Sequence, residues 1–156
     1  MGAVYPLTLL YDAACPVCSL EMDHLRSLNQ EGKLVFVDIT APGFDPAPYG
    51  VPLAAMDAEI HARRADGQVI RGVQVLRLAY EAVGLGWVMR PTAWAPLRAL
   101  SDVGYRIFAR HRREISRVAA PVITAIRAHR ARRMAARMRD CAGGACDLSE
   151  RSTGRD

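Results

Sequence analysis

No uninterrupted apolar run in this 156-residue chain approaches the roughly 18 residues that a membrane-spanning helix needs. The opening MGAVYPLTLLYDAAC has no basic stretch ahead of its short apolar run, and Asp12 follows that run at once. Such a start leads us to expect no secretory leader. Pro6 stands where a myristoylation signal carries Ser or Thr. A cytoplasmic location is the resulting expectation. Lysine is almost missing: Lys33 is alone among 21 basic residues. In an alanine-rich chain, a GC-rich coding sequence suffices to explain that skew.

What is present is the composition of a globular protein, 51 % hydrophobic and 24 % charged. The length suits one domain with a core that needs no metal or disulfide staples. The net charge of +5 is unevenly spread. Residues 1–100 carry eight Lys/Arg against ten Asp/Glu, whereas residues 101–156 carry thirteen Arg against six acids. The basic C-terminal part therefore needs its own explanation.

Apolar patterning sets out the elements. LTLLY (7–11) reads as a buried strand bounded by Pro6 and Asp12. From Cys15 to about Asn29, apolar residues recur near helical spacing, with Asp12 ahead as a possible cap. KLVFVDI (33–39) is a second buried strand, so the first 40 residues form a βαβ unit with a right-handed crossover. APGFDPAPYGVP (41–52) reads as a loop, and AEIHARRADGQVIRG (58–72) as a hairpin turning at Asp-Gly. An amphipathic helix spans 73–83 and ends at Gly84. Pro91 and Pro96 are expected to break the chain before a helix from about Asp102, and residues 121–139 form a further basic helix. The order β-α-β-β-β-α, or a trimmed form of it, is that of a thioredoxin-like α/β domain. We place that domain at residues 1–118, with a helical extension and tail at 119–156.

Four cysteines occur as two close pairs, Cys15/Cys18 and Cys141/Cys146. Paired thiols in a reducing compartment point to redox chemistry or metal before structural disulfides. Disulfide exchange needs a thiolate, and free amides plus the positive dipole end of a helix favour one at Cys15. Cys18, one turn along the same face, is close enough to close a disulfide with it. Cys15 is thus the expected attacking thiol, exposed at the strand-to-helix turn, and Cys18 the more buried resolving thiol. Pro16 suits a first helical turn because its missing N–H would have had no intrahelical partner. Asp12 has two readings, a capping residue or a catalytic carboxylate that accepts the Cys18 proton. The competing use of a CxxC pair is half of a zinc site, with Cys141/Cys146 as the other half. The wider spacing of that second pair disfavours zinc, and no metal or cofactor is expected.

YDAACPVC followed by a leucine-bearing helix resembles the DCC family of thiol-disulfide oxidoreductases, whose usual motif is YDGxCxxC. The likeness continues through VFVDI, IHARRADGQVIRG, VQVLRLAYEAVGLGWV and YRIFARHR, over roughly residues 5–115. It implies a thioredoxin-like fold and a catalytic CxxC, with Asp12, Cys15 and Cys18 matching the motif. Ala13 stands where glycine is usual. The slot near Ala58–Glu59, where most thioredoxin relatives carry a cis-proline, has none, which puts general protein-disulfide reductase activity in doubt. The Cys-Pro-x-Cys order also resembles glutaredoxins. The implied partners are a disulfide-containing protein or a low-molecular-weight thiol such as glutathione.

Other residues carry plainer readings. His61 lies on the strand entering the hairpin, a strand that could approach the dithiol, although an ordinary strand histidine is the commoner case. Trp87 and Trp94 are expected to pack a helical lid. Residues 106–139 hold eleven arginines against Glu114 alone. Val118, Val122, Ile126, Met134 and Met138 form a weak apolar stripe there, and the expectation is a solvated or docked face ahead of weak contact with an anionic membrane surface. Without interleaved aromatics or a base-reading motif, nucleic acid is disfavoured. Cys141 and Cys146 flank a flexible Ala-Gly-Gly-Ala, so they form either an accessory dithiol that shuttles electrons or an unused tail. The expectation overall is a thiol-disulfide oxidoreductase. Its alternative is a non-enzymatic module, zinc-stabilised or surface-binding, with structural cysteines.

Overall fold

Leu7–Tyr11 forms β1, the inner strand on which the fold is built. It pairs in parallel with β2 (Leu34–Asp38), Leu7 opposite Leu34 and Tyr11 opposite Asp38. Its other edge runs antiparallel to β3 (His61–Arg63), Leu10 opposite His61. β3 turns back into β4 (Val69–Arg71). The resulting sheet has the order β2-β1-β3-β4. β1 reads as a continuous apolar run because both its faces are covered. Leu7 and Leu9 join one core with Met22, Leu25, Val75 and Ala79, while Leu10 joins a second with Ile39 and Met56.

In this computed structural model, residues 2–142 are described, the side chains of residue 137 and of residues 139–142 excepted. Helix α1 (Pro16–Leu28) is the crossover from β1 to β2 and buries Met22 and Leu25. The Asp-Gly turn forms as expected: Gly67 takes φ +86°, and the Arg64 amide donates to the Gln68 carbonyl at 2.9 Å. Helix α3 (Val73–Ala82) buries Val73, Val75, Ala79 and Ala82. A βαβ unit followed by ββα, with helices flanking a four-stranded sheet, is the thioredoxin-like arrangement read from the sequence.

Several local expectations change. The 41–52 loop contains a short 3-10 turn at Ala47–Tyr49, and a helix α2 (Leu53–Ala58) follows it to bury Met56. Pro91 lies inside α4 (Gly86–Ala93), where a helix this short loses one ladder bond to it. Pro96 opens α5 (Ala95–Ala142) instead of breaking the chain, since the first helical turn has no partner for an N–H. The helices expected separately from Asp102 and from Pro121 are one element, with Pro121 inside it. Trp87 on α4 and Trp94 just past its end do not pack a lid: they are 67 % and 65 % exposed, and α4 buries none of its residues.

The chain divides into two compact units, Met1–Ala120 and Pro121–Asp156. The first holds the sheet, α1 to α4 and the Cys15/Cys18 pair. In the second, α5 continues to Ala142, and Val122, Met134 and Met138 on it are exposed. No helix among the described residues is long and apolar enough to cross a membrane.

Candidate active site

The chain leaves β1 through a turn held by two carboxylates. Asp12 Oδ1 accepts the Ala14 amide at 2.8 Å, and Asp38 Oδ1, at the end of β2, accepts the Ala13 amide at 3.2 Å. Ala13 in place of glycine costs this turn nothing, because no non-glycine residue described takes a positive φ. Burial alone would raise the Asp38 pKa. The Thr40 hydroxyl, the Thr40 amide and the Ala13 amide outweigh it and hold this carboxyl below its ordinary value.

Cys15 then caps α1. Its backbone is extended, and its Sγ accepts the Cys18 amide at 3.3 Å. The cap expected from Asp12 is therefore supplied by the cysteine, because Asp12 is spent on the preceding turn. Cys15 and Cys18 are joined as a disulfide with their Cα atoms 5.2 Å apart. The exposure expected of the pair is reversed: Cys15 is only 3 % exposed, and Cys18 is partly open. The physical reason is α5, whose Ser116 places its Oγ 3.4 Å from Cys15 Sγ.

Asp12 is itself buried, and burial of a carboxylate demands a counter-charge. Arg112, equally buried and one turn before Ser116, donates to Asp12 Oδ2 at 3.3 Å. The same Nη2 donates to Asp57 Oδ1 at 2.8 Å, and Arg113 holds Asp57 through both carboxylate oxygens. Helix α5 is thereby tied both to the turn before the dithiol and to the end of α2. A little earlier on α5, the Tyr105 hydroxyl accepts the Ile60 amide at 3.0 Å, just ahead of β3. Burial chiefly raises the Tyr105 pKa, so the phenol keeps its proton at neutral pH.

His61 is buried on β3, and its Nδ1 donates to the Glu59 carbonyl at 3.0 Å. Among the described residues it makes no hydrogen bond to the dithiol or to Asp12. The side chain of Cys141 and all of Cys146 lie outside the described residues. Among the described residues, no three of His, Cys, Asp and Glu gather as metal ligands.

Sequence reasoning read residues 106–139 as a solvated or docked face without singling out Arg112 or Ser116, and it passed over Asp57. One signal was available. Ala109, Arg112 and Ser116 fall at spacings of three and four, so an arginine sits in the same helical stripe as two small residues. All three are buried.

Comparison with known proteins covers the same region. The family model of the DCC1-like thiol-disulfide oxidoreductases matches residues 9–118. An uncharacterised chloroplastic protein of Arabidopsis thaliana is 36 % identical over 114 residues, which is 72 % of this chain and 53 % of that protein. The chain thus spans about half the length of this relative. No solved structure matches. The matched span runs from β1, through the dithiol, to the turn of α5 that covers Cys15, and the chain belongs to the DCC1-like thiol-disulfide oxidoreductase family.

Proposed function

We propose that the Cys15/Cys18 pair is a catalytic dithiol that exchanges with substrate disulfides. In the reducing direction, Cys15 thiolate attacks one sulfur of a disulfide RSSR′ and forms the mixed disulfide Cys15–SR, releasing R′S⁻. Cys18 thiolate then attacks Cys15 Sγ, closing the Cys15–Cys18 bond and releasing RS⁻. Two electrons pass from the dithiol to the substrate, and the two thiol protons end on the released thiols. The opposite direction is the same sequence reversed.

The observation carrying this reading is the position of Cys15 as the cap of α1. The Cys18 amide, the Ser116 hydroxyl and the helix start all offer a Cys15 thiolate positive charge or a donor. An approaching substrate sulfur displaces the Ser116 hydroxyl from Cys15 Sγ. Asp12 shapes the turn and serves as the nearby carboxylate for the resolving step. Arg112 is a positioning residue, because it acts on Asp12.

A glutathione redox titration with alkylation and mass-spectrometric mapping tests the couple. A reversible Cys15–Cys18 pair between roughly −270 and −120 mV, the span of known dithiol proteins, is expected. Thiols that never pair would overturn the reading. The assignment of the attacker is tested by trapping: Cys18→Ser should accumulate a mixed disulfide on Cys15. A mixed disulfide captured only by Cys15→Ser, on Cys18, would reverse the roles.

A further inference from the structure

The part of α5 that lies in the first compact unit has two unlike sides. Ala109, Arg112 and Ser116 are buried and mark the side packed on the body. Leu100, Val103, Ile107 and Val118 recur at spacings of three, four and eleven, which keep one helix face. That face lies about opposite the buried one, and its four apolar side chains are between 49 % and 81 % exposed. This stripe begins ahead of the one expected from Val118 to Met138. An apolar stripe left in water is unfavourable and marks a surface that something covers.

A basic ridge borders the stripe. Arg106, Arg110, Arg113 and Arg117 follow one another at spacings of four, three and four, about a quarter turn around the helix from the apolar face. All four are exposed. Arg113 holds Asp57, whereas Arg106, Arg110 and Arg117 have no carboxylate partner among the described residues. Glu114 is the acid that interrupts the outer face, and it lies 3.3 Å from His111. Two exposed tryptophans stand at the start of the helix. Trp94 directly precedes α5, and Trp87 on α4 lines the same hollow as Arg98.

Charge decides what covers such a face. Residues 86–118 carry seven arginines against two acids. A second copy would set arginine ridge beside arginine ridge with few carboxylates to offset them, which is repulsive. The covering surface is therefore negative as well as apolar. A lipid interface combines the two: acyl chains accept the stripe, headgroup phosphates accept the arginines, and tryptophan rings favour the boundary between them. We infer that the outer side of α5, with Trp87 and Trp94, docks on the surface of an anionic lipid bilayer. This does not rest on the redox reading, because Asp12 and Cys15 meet the opposite side of the helix.

Trp87 and Trp94 are the only tryptophans of the chain, so intrinsic fluorescence of the full chain reads this face directly. On vesicles of about equal parts phosphatidylglycerol and phosphatidylcholine, emission should shift to the blue, and lipids brominated on their acyl chains should quench it. Phosphatidylcholine alone should give neither effect, and added salt should weaken the binding. Leu100→Gln/Ile107→Gln should lower the affinity for the mixed vesicles about tenfold or more. Arg106→Glu/Arg110→Glu should lower it about thirtyfold or more, at about fivefold for each arginine lost near the surface. All four side chains are exposed, so the thermal midpoint should stay that of the wild type. No blue shift on the mixed vesicles would overturn the proposal, as would equal binding to phosphatidylcholine or binding that both variants leave intact. A blue shift without lipid that grows with protein concentration, together with a dimer in sedimentation, would give the face to a second copy instead. Binding of poly-glutamate as tight as that of vesicles, with no quenching from the acyl chains, would give it to an acidic protein.

Discussion

Arg112 shows how much one side chain can decide here. It is buried, and it neutralises Asp12 while also holding Asp57. Arg112→Leu removes one member of a buried pair and leaves a carboxylate without compensation, which costs about 3–5 kcal/mol. Urea unfolding should show a loss of that order, and Arg112→Lys should recover part of it. A loss below about 1 kcal/mol would mean that water already serves Asp12. Ser116 is subtler, since it stabilises the redox pair and not the fold. Its hydroxyl donates to Cys15 Sγ when that sulfur is a thiolate, and so favours the reduced form. Ser116→Ala should make the couple more reducing by about 20 mV, one hydrogen bond's worth for a two-electron couple. A shift in the other direction in a redox titration would mean that the hydroxyl serves the disulfide more than the thiolate.

At the level of elements, the site depends on where β2 ends. Asp38 is the last residue of β2, and it receives the Ala13 amide of the dithiol turn as well as two bonds from Thr40. Its carboxyl titrates below the ordinary 3.8, so the native state holds this proton less tightly than the unfolded chain. The associated stability is fully present above that ordinary value and is lost as pH falls through the lower native one. The stability gap between wild type and Asp38→Asn should therefore be flat from about pH 5 to 7 and shrink below about pH 4. Urea midpoints across that range would check it, and a gap constant down to pH 3 would remove the role. The elements carrying the site were legible in advance. LTLLY, KLVFVDI and the Asp-Gly hairpin each have a period and a turn residue with one solution. The joins at Pro91, Pro96 and Pro121 were not, because a proline's cost depends on which turn of a helix it occupies.

For the molecule as a whole, sequence and tertiary structure settled different things. The sequence alone determined the thioredoxin-like order of elements and the place of the dithiol at a strand-to-helix seam. Both follow from local periodicity and from a three-residue spacing on one helix, interactions between residues close in the chain. Only the tertiary structure decided what surrounds the dithiol. Ser116 meets Cys15 across 101 positions, and Arg112 meets Asp12 across 100. The small residues Ala109 and Ser116 mark the stripe on which Arg112 turns inward while Arg106 and Arg110 remain exposed, but nothing in the α5 sequence states which carboxylates that arginine meets. The exposure of the two cysteines was reversed for the same reason: a helix start predicts its own electrostatics, but burial depends on what a distant segment lays over it. Local chemistry is set by neighbours along the chain, whereas accessibility and charge pairing are set by neighbours in space.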